Sequence, residues 1–158
     1  MNHRPAVRSL TALLGALLLA GCAGMHSGES VSPTITIGSM PDGSVRVDTD
    51  DERLAEHWEA AERARRDGDD AEALEALYQG LDIDPRNSLF WSRAAEIQLD
   101  NNEPAQAENF AAKSNVFAGE NTALLHRNWL IIEHARDMRG DLLGVRSAHR
   151  KVQQYQYR

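Results

Sequence analysis

The chain has 158 residues, 42% of them hydrophobic, and a formal net charge of −7. This acidic balance disfavours nucleic acid and anionic lipid surfaces as partners. The sequence contains no nucleophile elbow, phosphate-binding loop, His-Glu-x-x-His motif or cysteine cluster. We therefore expect no enzyme activity, no cofactor and no small-molecule substrate.

The N-terminal segment has the features of a secretory leader. Arg4 and Arg8 precede the apolar run Leu10–Ala20, which is too short to span a bilayer as a mature helix. The run leads into Leu-Ala-Gly-Cys ending at Cys22, which resembles a bacterial lipobox. That resemblance predicts a signal peptide at residues 1–21 and a covalent lipid on the only cysteine of the chain. The alternative is an ordinary signal peptide with an accidental cysteine.

The residue after the cysteine bears on localisation. It is Ala23 rather than Asp, which by resemblance to enterobacterial sorting rules favours the outer membrane over the inner. Lipoproteins of this type carry several acyl chains, and several chains anchor a protein stably where one does so reversibly. We expect a domain on the periplasmic face of the outer membrane that contacts the membrane through its lipid only.

The segment after the cysteine is poor in large apolar residues. Residues 22–51 therefore read as the lipidated cysteine followed by a flexible, disordered tether. Within it, Thr34–Ile37 and Val45–Val47 alternate apolar and polar residues around Pro41–Gly43, a hairpin pattern spanning 34–47. An isolated hairpin is marginal in water. The pattern is either a local preference or a strand that adds to the sheet edge of a partner.

From Leu54 onward the sequence is rich in Ala, Leu and Glu at helical spacing. The spacing predicts six helices, near residues 52–66, 70–83, 88–101, 104–118, 122–139 and 141–155. Small residues that would let paired helices approach closely occur at four positions, Ala61, Ala73, Ala95 and Ala107. Asn87 and Thr122 are expected N-caps, and Gly119 and Gly140 suit helix ends.

An internal repeat runs through this helical region. Gly68-Asp69 and Asp84–Asn87 resemble the turn and the closing segment of a tetratricopeptide repeat (TPR). Ser88–Asn121 has the 34-residue length of that repeat, and Trp91 matches the aromatic position near its start. The resemblance implies an all-α fold, with three antiparallel helix pairs stacked as a short TPR solenoid over residues 52–158.

The third unit departs from the TPR pattern. Trp129 stands where a small residue is usual, and Gly140-Asp141 comes about four residues late. In the second unit, Asn101-Asn102 replaces the usual glycine turn and Gly119 stands where proline is usual. The departures in the third unit predict that the last helix pair is a degenerate or capping repeat.

In TPR domains the first helix of each pair lines a groove in which partner peptides lie. By that resemblance the groove positions are Trp58, Glu62, Arg65, Ser92, Glu96, Leu99, His126, Leu130 and Glu133. For Trp58 and Leu130 the alternative is a place in the core. His126 and His134 lie two helical turns apart, about 12 Å along the axis, which is too far to share a metal ion.

Charge is distributed unevenly along the chain. Residues 48–84 hold 14 acidic and 4 basic side chains, whereas residues 121–158 hold 3 acidic and 7 basic ones. The distribution is either an ordinary bias of a solvated surface or a pair of oppositely charged ends that orient a partner.

The layout of leader, cysteine, tether and short helical domain resembles the LpoP-type lipoproteins, which activate bifunctional penicillin-binding proteins. Asn109–Asn115, Asn128-Trp129 and Ala135-Arg136 also look like that group. The resemblance implies a protein-interaction module whose partner is a class A penicillin-binding protein. The alternatives are a pilotin or assembly factor for an outer-membrane machine, and a TPR adaptor for another partner.

Overall fold

The structure, a computed structural model, describes residues 51–156. The predicted signal peptide, Cys22, the tether and the hairpin pattern at 34–47 lie outside the described residues. Within the described part of the chain, every helix is too short or too polar to cross a bilayer.

Six helices make up the described domain. Their bounds are α1 Glu52–Asp67, α2 Asp70–Ile83, α3 Ser88–Asp100, α4 Pro104–Phe117, α5 Thr122–Met138 and α6 Leu142–Gln156. The sequence-based bounds agree with these to within one residue, because apolar periodicity and turn residues mark helix ends locally.

Short polar side chains define where the helices begin. Asn87 caps α3 as expected, and its Oδ1 accepts a hydrogen bond from the backbone N–H of Phe90 at 3.4 Å. The expected cap at Thr122 is wrong, because Asn121 occupies that position and accepts from the N–H of Leu124 at 3.0 Å. Asparagine is the stronger N-cap of the two neighbours, so Thr122 becomes the first helical residue.

The turns within the helix pairs require a left-handed backbone residue. Gly68 has φ 80° and Gly140 has φ 72°. In the second pair Asn102 adopts this conformation, at φ 60°. This explains how Asn101-Asn102 can replace the usual glycine turn. Asparagine is one of the few residues with a side chain that adopts this conformation readily.

The helices form three antiparallel pairs, α1–α2, α3–α4 and α5–α6, and successive pairs stack through α2–α3 and α4–α5 contacts. The four predicted close-contact alanines are all buried, with exposed fractions of 1% or less: Ala61, Ala73, Ala95 and Ala107. Their small side chains let the helices approach closely. The predicted all-α architecture of three stacked pairs is confirmed.

Two main apolar clusters form the core. The first lies in α1–α3 and includes Trp58, Leu77 and Phe90, with the rings of Trp58 and Phe90 5.3 Å apart. The second joins α3 to α6 and includes Ile131 and Ile132. Full burial of each large side chain stabilises the fold by about 1.5–3 kcal/mol, so these clusters hold the stack together.

Candidate partner-binding surface

The nine predicted groove residues all lie on α1, α3 and α5, the first helices of the three pairs. Three of them are buried: Trp58 is 6% exposed, Ser92 1% and Leu99 7%. Trp58 lies in the core, which was the alternative to a groove position, since it packs against Phe90 in the first cluster. These three side chains therefore pack beneath the surface that α1, α3 and α5 form, and they are not part of that surface.

Glu62, Arg65 and Glu96 come together at the surface through two arginines that the sequence analysis did not select. Arg93 on α3 places its Nε 2.7 Å from Oε1 of Glu62 on α1. The same arginine donates to Glu96 one turn further along α3, and Arg127 on α5 donates to Glu96 as well. Glu62, Arg65, Arg93, Glu96 and Arg127 therefore form one charged network, here called the A-helix network, that joins all three first helices.

Four of the five members of the A-helix network are well removed from solvent, whereas the side chain of Arg65 is 37% exposed. The side chain of Arg93 is 4% exposed, that of Arg127 is 11% exposed, and those of Glu62 and Glu96 are each 14% exposed. The guanidinium of Arg93 also lies 5.5 Å from the ring centroid of Trp58, a cation–π contact. Burial lowers the pKa of Arg127, and the Glu96 carboxylate acts in the opposite direction. The ion pairs of the network thus connect α1, α3 and α5.

A signal for these arginines was present in the repeat. Glu62 and Glu96 are separated by one 34-residue period, and Arg93 and Arg127 are separated by the same period. A carboxylate and a guanidinium recurring at equivalent positions of stacked repeats are brought side by side by the stacking. The recurrence of both residue types at the same repeat positions therefore predicts this network.

The remaining groove candidates lie on α5 and at the margin of the network. His126 and Leu130 are half-buried, so Leu130 is neither a fully enclosed core residue nor a freely exposed one. Glu133 is 2.9 Å from Nδ1 of His149 on α6.

At the far end of α3, burial raises the pKa of Asp100, and the nearby carboxylates of Glu96 and Asp70 add to the rise.

In the part of the chain that the structure describes, no group of three or more His, Cys, Asp or Glu side chains is arranged to hold a metal ion. The face formed by the first helices α1, α3 and α5, here called the first-helix face, offers half-buried side chains around the A-helix network. Stacked helix pairs with such a face define the class of helical-repeat interaction domains, which bind partners along extended surfaces.

Among solved structures, the fold is similar to the globular C-terminal domain of P. aeruginosa LpoP. The two share 28% sequence identity with a TM-score of 0.61, and the match covers 65% of this chain and 97% of that domain. No protein-family model matches the chain, and no curated protein matches it. The likeness in fold extends over nearly the whole of the LpoP domain.

Proposed function

We propose that this chain is a lipid-anchored periplasmic regulator that binds and activates a bifunctional peptidoglycan synthase, a class A penicillin-binding protein. The observation that carries the proposal is the likeness to the LpoP domain over 97% of its length. In this proposal the helical domain acts by binding, without catalysis or a cofactor. The partner contacts the exposed side chains that border the A-helix network, because the buried members are already paired.

Anchoring is part of the same proposal. The lipid on Cys22 attaches the chain to the outer membrane, and the residues up to 51 connect that lipid to the domain. Replacing Cys22 by Ala should abolish incorporation of labelled palmitate and release the protein from membranes. Continued labelling and pelleting of the Cys22→Ala protein with membranes would contradict the anchor.

The activity is tested with the full mature chain in detergent and a purified class A penicillin-binding protein from the same organism. We expect the chain to bind the synthase and to increase its rate of glycan polymerisation. The variant Arg65→Ala with Leu130→Ala should reduce both effects, because Arg65 is the most exposed member of the A-helix network and Leu130 is a half-buried side chain on α5. Gln79→Ala, an exposed change on α2, is the control and should leave both unchanged.

Two outcomes would redirect the proposal. If the chain neither binds nor stimulates any such synthase, the activator function fails and a pilotin or another adaptor function takes its place. If stimulation persists in the Arg65→Ala, Leu130→Ala protein at full strength, the first-helix face is not the contact surface.

A further inference from the structure

A second surface feature lies in the last helix pair. It is a groove of about 510 Å³ between α5 and α6, here called the α5–α6 groove. Its lining residues are Trp129, Arg136, Ser147, Arg150, Lys151 and Gln154. None of them belongs to the A-helix network or to the predicted groove positions, so the α5–α6 groove is a separate site.

The position of Arg136 in the groove is defined by several contacts. Its Nε donates to Glu108 on α4 at 2.8 Å, and Nη1 donates to the carbonyl of Gly144 at 3.1 Å and to Oγ of Ser147 at 2.9 Å. Gly144 has no side chain, and a Cβ there would overlap Oδ2 of Asp141 and lie 2.7 Å from Cδ of Arg136, so these two side chains occupy that space. Arg136 is therefore held in one orientation before any partner arrives.

The other two cations of the groove have no anionic partner. Among the described residues, Arg150 makes no hydrogen bond or ion pair, and Lys151 donates only to the neutral amide of Gln154 at 3.0 Å. No carboxylate lines the groove, and α6 contains no Asp or Glu. Glu108, which accepts from Arg136, is shared with Arg139, and the Asp141 carboxylate accepts from the N–H of Gly144. Arg150 and Lys151 therefore carry positive charge that no carboxylate of the described residues pairs with.

Apolar groups lie at both ends of this positive stretch. Trp129 is half-buried at one end, beside Gln154. Leu143, which is 77% exposed, lies four residues before Ser147 and seven before Arg150, so it shares their side of α6. The twelve residues from Leu143 to Gln154 span about 16 Å along the helix. Trp129, the cationic residues and Leu143 therefore follow one another along the direction of α6, with Leu143 just outside the lining of the groove.

We propose that the α5–α6 groove binds a short acidic peptide segment of the protein partner. Carboxylates of that segment pair with Arg150 and Lys151, and apolar side chains that flank them contact Trp129 and Leu143. The net negative charge of the whole chain disfavours long-range capture of a large polyanion, whereas a short acidic segment requires only the local positive charge. The identification of the partner rests on the proposed function, but the chemistry of the groove does not.

The test uses the full mature chain and a displayed library of random nine-residue peptides. We expect selection to enrich peptides with Asp or Glu beside apolar residues, and binding of the enriched peptides to weaken as salt rises. The variant Arg150→Glu with Lys151→Glu should weaken binding of these peptides at least tenfold. Arg150→Lys with Lys151→Arg keeps both charges and should retain binding.

A matched control separates the groove from a general charge effect. Arg63→Glu with Arg66→Glu makes the same charge change at exposed positions of α1, and should leave peptide binding unchanged. Equal loss in both charge-reversed proteins would overturn the groove as the site. Enrichment of peptides without acidic residues would overturn the proposed ligand.

A second copy of the chain is the competing occupant, since its α1–α2 segment is acidic. Sedimentation of the mature chain over a range of concentrations decides this point. We expect no association that depends on Arg150 and Lys151. If their reversal abolishes self-association, the groove binds another copy and the proposal is wrong.

Failure of the groove and failure of the proposed function are distinguishable. If the synthase is stimulated equally by the native and the Arg150→Glu, Lys151→Glu proteins and no acidic peptide is selected, the groove proposal fails while the function stands. If acidic peptides bind the groove but no synthase is stimulated, the proposed function fails while the groove stands.

Discussion

Two sets of arginines in this domain have different surroundings. Arg93 and Arg127 lie beneath the first-helix face and are paired with carboxylates from other repeats or from their own helix. Arg150 lies in the α5–α6 groove beside the paired Arg136, and it is exposed and has no partner among the described residues. The comparison teaches that the role of a charge depends on whether the fold brings an anion to it.

The energetic consequences of the two arrangements differ as well. Loss of one partner from a buried pair leaves an uncompensated charge in a poorly solvated place, which is costly. An exposed cation remains solvated whether or not it has a partner, so its removal has little effect on stability. The following four predictions test this distinction, beginning with the largest expected effect.

Glu96 is the central acid of the A-helix network, because both Arg93 and Arg127 donate to it. Glu96→Gln should lower the free energy of unfolding by about 3–5 kcal/mol, the usual result of removing one partner from a buried ion pair. Urea denaturation measures the change. Glu133→Gln removes a more exposed pair with His149 and should cost about 0–1 kcal/mol. Similar losses in the two proteins would mean that the network does not connect the helices as described.

Helices α3 and α4 pack closely against each other, and Ala107 on α4 is fully buried. Ala107→Leu inserts three carbons into this contact and should lower the free energy of unfolding by about 1–3 kcal/mol through overpacking. Ala112→Leu makes the same change at an exposed position of α4 and is the control. A melting temperature equal to that of the native protein for Ala107→Leu would show that the repeat register is incorrect.

Asp100 at the end of α3 has a raised pKa, mainly because burial disfavours its charged form. A folded-state pKa above the unfolded value means that the ionised carboxylate destabilises the fold at neutral pH, and that this cost disappears as pH falls through both values. Asp100→Asn should therefore raise the melting temperature at pH 7. The gain in the free energy of unfolding should be less than about 1 kcal/mol, because solvent screens the site. The gain should vanish in acid below pH 3.8, the ordinary value. A gain that is independent of pH would contradict this cause.

Arg150 should give the smallest change in stability. Because it is exposed and unpaired among the described residues, Arg150→Gln should change the free energy of unfolding by no more than about 0.5 kcal/mol. Thermal and urea denaturation measure this, and the same protein should show weaker binding of acidic peptides. A loss above 1 kcal/mol would show that Arg150 supports the fold, and the contrast between the two sets of arginines would fail.

Much of the architecture was predictable because its signals are local. Apolar spacing and turn residues gave helix bounds within one residue, and the buried alanines at 73 and 107 marked where helices touch. The cap at Asn121 was missed because two adjacent residues are both acceptable caps, and only the backbone geometry selects one of them. For the first-helix face, the 34-residue period placed candidates on the correct helices but did not distinguish supporting residues from exposed ones.

The sequence by itself determined the class of the domain, the six helices and their pairing, because each depends on residues within a few turns or one repeat of each other. Only the tertiary structure decided that Trp58 packs in the core, that Arg93 and Arg127 converge on Glu96, and that Arg150 stays open to solvent. Burial and ion pairing are properties of the neighbours that stacking supplies. Those neighbours come from other helices, so the solvation of a given side chain cannot be read from its own segment of the sequence.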